Sequence, residues 1–231
     1  MHLNRQMREA VMSYSTLSFK EVSGSMFRAN CATIDMKKIL KVLEMPERIE
    51  ISENLLEWLK RSRKEDHSAM EMIYEHFKSS LFGLAYRYTY NAAAAEDLTQ
   101  DIFVKVFTNL SLLDNDRAFI GWIYRVAINT CLSYLRSNKR GLKKSVPFDV
   151  LEGVLNDKDA VSDEKMMSRS LEEAISGLPT KLKSVFLLHD VQGFKHKEIA
   201  SILSCSIGTS KSQLFKARNR IKKYLVNKEL I

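Results

Sequence analysis

No stretch of the 231 residues is an uninterrupted apolar run of the ~18–20 residues a membrane-spanning helix requires, so membrane insertion is not expected. The opening Met1-His2-Leu3-Asn4-Arg5 lacks the apolar segment and small-residue cleavage site of a secretory signal. Cysteine is scarce. Cys31, Cys131 and Cys205 are odd in number, far apart and form no C-x-x-C pair, which argues against a disulfide framework or structural zinc and fits a reducing cytoplasm. They read as small buried apolar residues rather than redox sensors. Glycine is sparse too, with no glycine-rich phosphate loop or nucleophile elbow, and His2, His67, His76, His189 and His196 have no metal-ligand spacing. Glu96-Asp97 with Asp101 could invite acid–base chemistry but has no partner histidine nearby. An enzyme is therefore not expected, and neither is a catalytic residue, metal or cofactor.

Proline occurs three times, at positions 46, 147 and 179, leaving long stretches free for uninterrupted helix. A hydrophobic content of 45% with 28% charged residues describes a folded globular protein long enough for two small domains.

Charge is present and unevenly placed. The formal +8 conceals two basic blocks. Residues 134–148 hold Arg136, Lys139, Arg140, Lys143 and Lys144 with no acid, and the last 27 residues hold seven Lys or Arg against one Glu. Between them, residues 149–176 carry eight acids and three bases. Two basic segments, each closing an amphipathic helical pattern, point to nucleic acid.

The apolar spacing is helical throughout, and no segment alternates with the period of a strand. Met70, Ile73, Tyr74, Phe77, Leu81, Leu84, Ala85 and Tyr88 form one stripe, with Asn91 as its stop. Leu98, Ile102, Val106 and Leu110 form a second; Phe119, Trp122, Ile123, Val126 and Leu135 seed a third. This predicts a helical bundle from about residue 57 to 140. The acidic, aperiodic stretch from Pro147 to about Ser168 reads as a flexible linker. Beyond it, Leu171, Ala174, Ile175 and Leu178 make an apolar face, and Pro179 opens a helix carrying Leu182, Val185, Phe186 and Leu188. A short helix from about Lys195 to Leu203, a turn through Ser204, Cys205 and Ser206, and a basic helix with Leu214, Ala217, Ile221 and Leu225 inward complete a helix-turn-helix. The expected fold class is all-α, two helical domains joined by a flexible acidic linker.

Three constellations carry the functional reading. In the last helix Thr209 is expected to cap the N-terminus, and Lys211, Ser212, Phe215, Lys216, Asn219 and Lys222 share the outward side. Lys and Ser can bond base edges or phosphates, and Phe can meet a thymine methyl. Glu96-Asp97-Leu98-Thr99-Gln100-Asp101 opens a helix whose Phe103, Val104 and Phe107 widen its apolar surface, as in a deep core helix or one that docks a partner. Trp122-Ile123-Tyr124-Arg125-Val126-Ala127-Ile128-Asn129 interleaves aromatic and basic groups, the combination that unstacked bases and their phosphates require. There Phe119 and Trp122 read as core, and Tyr124, Arg125 and Asn129 as exposed.

These segments, in this order, resemble the bacterial RNA polymerase sigma factors of the extracytoplasmic-function group, over about residues 65–225. Residues 95–103 resemble that family's polymerase-binding helix, 119–129 its promoter-melting segment, and 178–181 with 208–212 the start and recognition helix of its C-terminal domain. The resemblance implies that Asp97, Gln100, Asp101, Phe103 and Val104 bind core RNA polymerase, on the clamp coiled coil of its β′ subunit. It implies that loop 111–118 captures a flipped base of the minus-ten non-template strand. Tyr124, Arg125 and Asn129, with Arg136, Lys139 and Arg140 on the phosphates, would serve that melted strand. Thr209, Lys211, Ser212, Phe215 and Lys216 would read the minus-thirty-five duplex. The implied partners are core polymerase through its β and β′ subunits, promoter DNA both duplex and melted, and an anti-sigma factor, all in the cytoplasm. The acidic linker would thread through polymerase near the RNA exit path. A two-domain helix-turn-helix regulator with no polymerase-binding role is the rival reading.

The chain departs from the family at particular points. Ser210 stands where Val is usual, Ser204 where Gly is usual and Gln213 where Arg is usual. Lys211 and Lys216 replace frequent arginines, and lysine cannot make the bidentate fork to guanine. Residues 1–56 form an extension that the family lacks; either translation starts at Met36 or Met45, or the extension is a regulatory helix. The expected domains are thus 1–56, 57–146 and 169–231, with the linker at 147–168.

Overall fold

The computed structural model describes residues 50–141 and 163–230, which fall into two compact units, and every regular element among them is helical. In the first unit the chain runs α1 (Glu53–Ser62), α2 (His67–Thr89), α3 (Ala92–Thr108), two short 3-10 turns (Leu110–Leu112 and Asp116–Ala118) and α4 (Phe119–Gly141). The second runs α5 (Asp163–Ser176), α6 (Thr180–Phe186), a π-turn (Leu187–Val191), α7 (His196–Ile202) and α8 (Ile207–Asn227).

Helix boundaries in the first unit follow from capping. Ser52 accepts the Leu55 N–H at 3.1 Å, Glu53 lies in the first turn and Lys60 and Arg61 in the last, matching the helix dipole at both ends of α1. Leu55 and Leu59 are fully buried against α2, so the first core begins at α1, four residues ahead of the expected boundary at 57. Asp66 caps α2, and Tyr90 ends it in a left-handed conformation (φ 49°) with its N–H on the Tyr86 carbonyl at 2.6 Å. Asn91, expected to stop α2, caps α3 by accepting the Ala94 N–H at 2.8 Å.

All eight residues of the predicted α2 stripe are buried, and α2 packs against α1, α3 and α4. Rings join the layers. Tyr74 meets Phe103 of α3 at 4.7 Å between centroids, and Phe77 meets Phe119 of α4 edge-on at 5.6 Å. Pairs in these geometries contribute about 0.5–1.5 kcal/mol beyond their buried area.

In the second unit α8 is the central element, packed on α5, α6 and α7 through Leu214, Ala217, Ile221 and Leu225, all buried as expected. Leu171, Ala174, Ile175 and Leu178 are buried too. The stretch expected to be linker ends earlier than its composition suggested: α5 starts at Asp163, six residues before 169. The acids at that point of the sequence fall in the first turn of a helix, where the dipole favours them. The remainder of the linker, and the extension up to residue 49, lie outside the described residues.

The helix-turn-helix corner has a defined geometry. At the end of α7 the Cys205 N–H reaches the Ala200 carbonyl (2.9 Å) and the Ser204 N–H the Ser201 carbonyl (3.4 Å), while Ser204 sits at φ 52°. That is a Schellman motif with serine in the left-handed position usually given to glycine.

Candidate nucleic-acid interfaces

On α3, Asp97 and Asp101 are exposed and Gln100 and Val104 half-buried, forming an acidic outward stripe with an apolar edge. Phe103 is not part of it. Its ring is fully buried between Tyr74 and Phe107, the latter at 6.0 Å, so the expectation that it touches a partner is corrected, while Val104 and Phe107 beside it stay half-buried. Lys105 ties this helix to α4 by donating to Thr130 Oγ1 at 3.0 Å.

On α4, Arg125 and Asn129 are exposed one turn apart, with Trp122 half-buried before them and Arg136 exposed beyond. Spacings of three, four and seven place these four on one face. Arg136 folds back on its own helix, donating to the Leu132 carbonyl (3.2 Å) and Ser133 Oγ (3.3 Å). Lys139 and Arg140 continue the helix, but their side chains lie outside the described residues. Tyr124 is the second correction. It is 1% exposed, its hydroxyl 2.6 Å from Ser80 Oγ of α2, and burial pushes its pKa up to about 12 against the opposing hydrogen bond. Its position in an aromatic–basic run concealed that it turns inward while its neighbour Arg125 turns outward. Loop 111–118 precedes this face; Leu112 at its start is 74% exposed, and Arg63, fifty residues away in sequence, reaches into it.

On α8, Lys211, Ser212, Phe215, Lys216, Asn219 and Lys222 are all exposed on one side, Phe215 by 67%. Thr209 does not cap the helix. Ser206 does, accepting the Thr209 N–H at 3.0 Å, and Thr209, half-buried in the first turn, pairs its hydroxyl with Ser206 Oγ at 2.8 Å. The helix thus begins one turn earlier than expected, because two hydroxyl residues spaced by three competed for the cap and the first won. Ser212 donates to the Thr209 carbonyl at 3.1 Å.

Beneath this surface runs a polar network that sequence periodicity did not reveal. Ser210, where the family's usual residue is apolar, is fully buried with its hydroxyl 2.9 Å from His196 Nδ1 of α7. The His196 ring lies 4.7 Å from that of His189. His189 Nδ1 pairs with Asp190 Oδ1 at 2.7 Å, and Arg218 of α8 grips both Asp190 oxygens at 2.8 and 2.5 Å. Burial would raise the Asp190 carboxyl, but the hydrogen bonds from Arg218 and His189 outweigh it and hold its pKa below the ordinary value. The only sequence hint was a serine at an inward helical position. Among the described residues, no three His, Cys, Asp or Glu side chains gather as a metal site, and no helix is long and apolar enough to cross a membrane.

Comparison with known proteins places both units. The family model described as sigma-70 region 2 matches residues 73–141, and that described as sigma-70 region 4 matches residues 168–221. The RNA polymerase sigma-H factor of Pseudomonas aeruginosa is 30% identical over 176 residues, covering 72% of this chain and 91% of that protein. The ECF RNA polymerase sigma factor SigW of Bacillus subtilis is 29% identical, with 72% and 94% covered, and the ECF sigma-E factor of Escherichia coli K12 is 30% identical, with 71% and 90% covered. Among solved structures, CnrH in complex with the cytosolic domain of CnrY has a TM-score of 0.55 at 17% identity, covering 74% of this chain and 96% of that one. The sigma factor RpoE of Bartonella quintana, solved with the anti-sigma factor NepR, has a TM-score of 0.53 at 22% identity, with 67% and 95% covered. These two share the fold.

Proposed function

The chain belongs to the sigma-70 family, in its extracytoplasmic-function group, and from that premise we propose how its surfaces divide the work of promoter recognition for RNA polymerase. Asp97, Gln100, Asp101 and Val104 on α3 dock core polymerase. Arg125, Asn129 and Arg136 on α4, continued by Lys139 and Arg140, receive the melted minus-ten strand delivered past loop 111–118. Lys211, Ser212, Phe215 and Lys216 on α8 enter the minus-thirty-five major groove. The observation that carries this assignment is the separation of faces on α8: its apolar side, with Ser210, is consumed by α5, α6 and α7, leaving one continuous basic side outward.

Physical chemistry supports each role. Extruding a base costs a few kcal/mol, which contacts to the flipped base can offset. The Lys and Arg rows release counterions on binding, giving strong salt dependence. Lysines at 211 and 216 supply point charges rather than guanine forks, so sequence preference falls more heavily on Ser212 and Phe215. An anti-sigma partner belongs to this reading, as for the Bartonella quintana neighbour solved with one, and the site of action is the cytoplasm.

The test is promoter-directed run-off transcription with core polymerase. Lys211→Ala with Lys216→Ala should weaken promoter binding and leave core binding intact, while Asp101→Ala should do the reverse. Absence of any stimulated specific initiation by the unmodified chain would overturn the reading in favour of a plain helix-turn-helix regulator.

A further inference from the structure

Arg63 is the residue that immediately follows α1, ten positions upstream of the segment matched by the sigma-70 region 2 model. Its Nη2 donates to the Leu113 carbonyl at 2.9 Å and to Asp116 Oδ1 at 2.5 Å. Both partners lie in loop 111–118, and they bracket its apex, Asp114 and Asn115. The guanidinium and the carboxylate are each about three-quarters buried, at 27% and 22% exposure, where salt screens a pair less than on an open surface.

Apart from the burial of Leu113, the loop's other hydrogen bonds among the described residues stay within the neighbouring sequence. Its backbone hydrogen bonds are local: Leu112 N–H to Asn109, Leu113 N–H to Leu110 and Ala118 N–H to Asn115. Asn115 Oδ1 accepts the Arg117 N–H at 3.0 Å, again within the loop. Leu113 turns inward, while Leu112, Asp114 and Asn115 face outward. The loop thus presents an apolar side chain, Leu112, near two groups able to bond a base edge, and one nitrogen of Arg63 ties down both flanks of the apex.

We propose that Arg63 is a positioning residue for promoter melting: by clamping Leu113 and Asp116 it holds loop 111–118 in the form that receives the flipped base. The proposal rests on reading that loop as the base-capturing element. A loop ordered beforehand spends less binding energy on its own ordering, and that saving appears as affinity and as discrimination between bases. The clamp acts at one position of the melted strand, whereas the phosphate contacts of Arg125 and Arg136 act regardless of sequence.

The experiment presents polymerase holoenzyme, assembled with the full chain, to a pool of single-stranded DNA randomised over ten positions. Unmodified protein should enrich one base strongly at one position. Arg63→Ala should flatten that preference about tenfold, the loss expected for a charge-assisted hydrogen bond, while total binding to core polymerase changes less than about twofold. Arg63→Lys, which restores the charge and can donate to either flank, should recover part of the preference. Hydrogen exchange on the free chain separates the two ideas. Arg63→Ala should accelerate exchange across residues 111–118 and not across α3. Unchanged exchange there overturns the clamp even if base capture stands; accelerated exchange with no base preference in the unmodified holoenzyme overturns base capture instead. Should Arg63→Ala fail to fold, Asp116→Ala removes the acceptor while leaving α1 intact, and an unaltered base preference in that variant overturns the proposal equally.

Discussion

In the first unit, rings and aliphatic chains bring the helices together, with Tyr74 on Phe103, Phe77 on Phe119 and the buried Ser80–Tyr124 hydroxyl pair. In the second, α8 packs through its own apolar stripe and is tied in addition by buried polar and charged groups. Asp190, 3% exposed, is gripped by Arg218 and His189; His196 holds Ser210; and Lys183, also buried, donates to the Ser176 carbonyl at 3.1 Å. Apolar burial is non-directional and tolerates small rotations of a helix about its axis. Hydrogen bonds from fixed partners do not. Arg218 and Ser210 lie eight residues apart on α8 and are held from the π-turn and from α7, so they set which side of α8 faces outward. The contrast suggests that the second unit spends stability on orienting α8, and it can be tested by cutting the network.

The largest effect is expected at the ion pair. Arg218→Ala leaves Asp190 buried with only His189 beside it, and should destabilise the second unit by about 2–4 kcal/mol, less than a fully buried pair because Arg218 is itself 40% exposed. Hydrogen exchange on the full chain should show lost protection in α6 to α8 and none in α1 to α4. Equal loss in both units would erase the proposed contrast. Next comes Lys183, whose burial lowers its pKa to about 8 from 10.5, with Glu172 opposing. The folded state binds fewer protons than the unfolded one between those values, so stability should rise as pH climbs from about 8 to 10.5. Lys183→Met should abolish that rise and stabilise the unit by about 1–2 kcal/mol at pH 7, after loss of the bond to Ser176. A destabilised variant would show that the ammonium's hydrogen bond outweighs its burial.

This contrast also explains which parts of the molecule were legible. The eight-residue α2 stripe and the four inward residues of α8 were read from spacing alone, because apolar burial imprints a period on sequence. Tyr124 and Phe103 were misplaced because spacing does not say which of two adjacent faces a ring takes; Ser80 and Tyr74, distant in sequence, decide it. The α8 cap moved from Thr209 to Ser206 because both residues have the chemistry of a cap. Arg63, Asp190 with Arg218, and His196 with Ser210 leave no period, since each joins elements through one or two polar contacts. The outward residues of α8 were visible in sequence; the groups that orient them were not.

A smaller effect should follow acidification. Burial lowers the His196 pKa below its ordinary value, helped by the nearby charges of His189, Lys211 and Arg218 and opposed by Asp190. A histidine with a depressed folded pKa contributes stability that is full above about pH 6.5 and is lost as pH falls from there through the folded value. Protection in α7 and α8 should therefore decline as pH falls below about 6.5. Replacing His196 with Gln, which keeps a polar partner for Ser210 without titrating, should flatten the decline. An unchanged profile in His196→Gln would assign the acid sensitivity elsewhere.

The smallest expected effect sharpens the comparison at a point where the two units look alike. Each ends a helix with a non-glycine residue in the left-handed region, Tyr90 at φ 49° and Ser204 at φ 52°. The backbone cost is the same kind in both, and a glycine would relieve it. Tyr90 recovers some of that cost, because its ring packs on Tyr86 at 5.8 Å. Ser204 is an exposed hydroxyl in a Schellman turn and has no ring to lose. Ser204→Gly should therefore stabilise the second unit by about 0.5 kcal/mol, whereas Tyr90→Gly should leave the first unit unchanged or weaker. Paired melts of the two variants decide it: a gain at Tyr90 equal to that at Ser204 would mean that the ring contact contributes nothing, and the aromatic account of the first unit would lose its most exposed support.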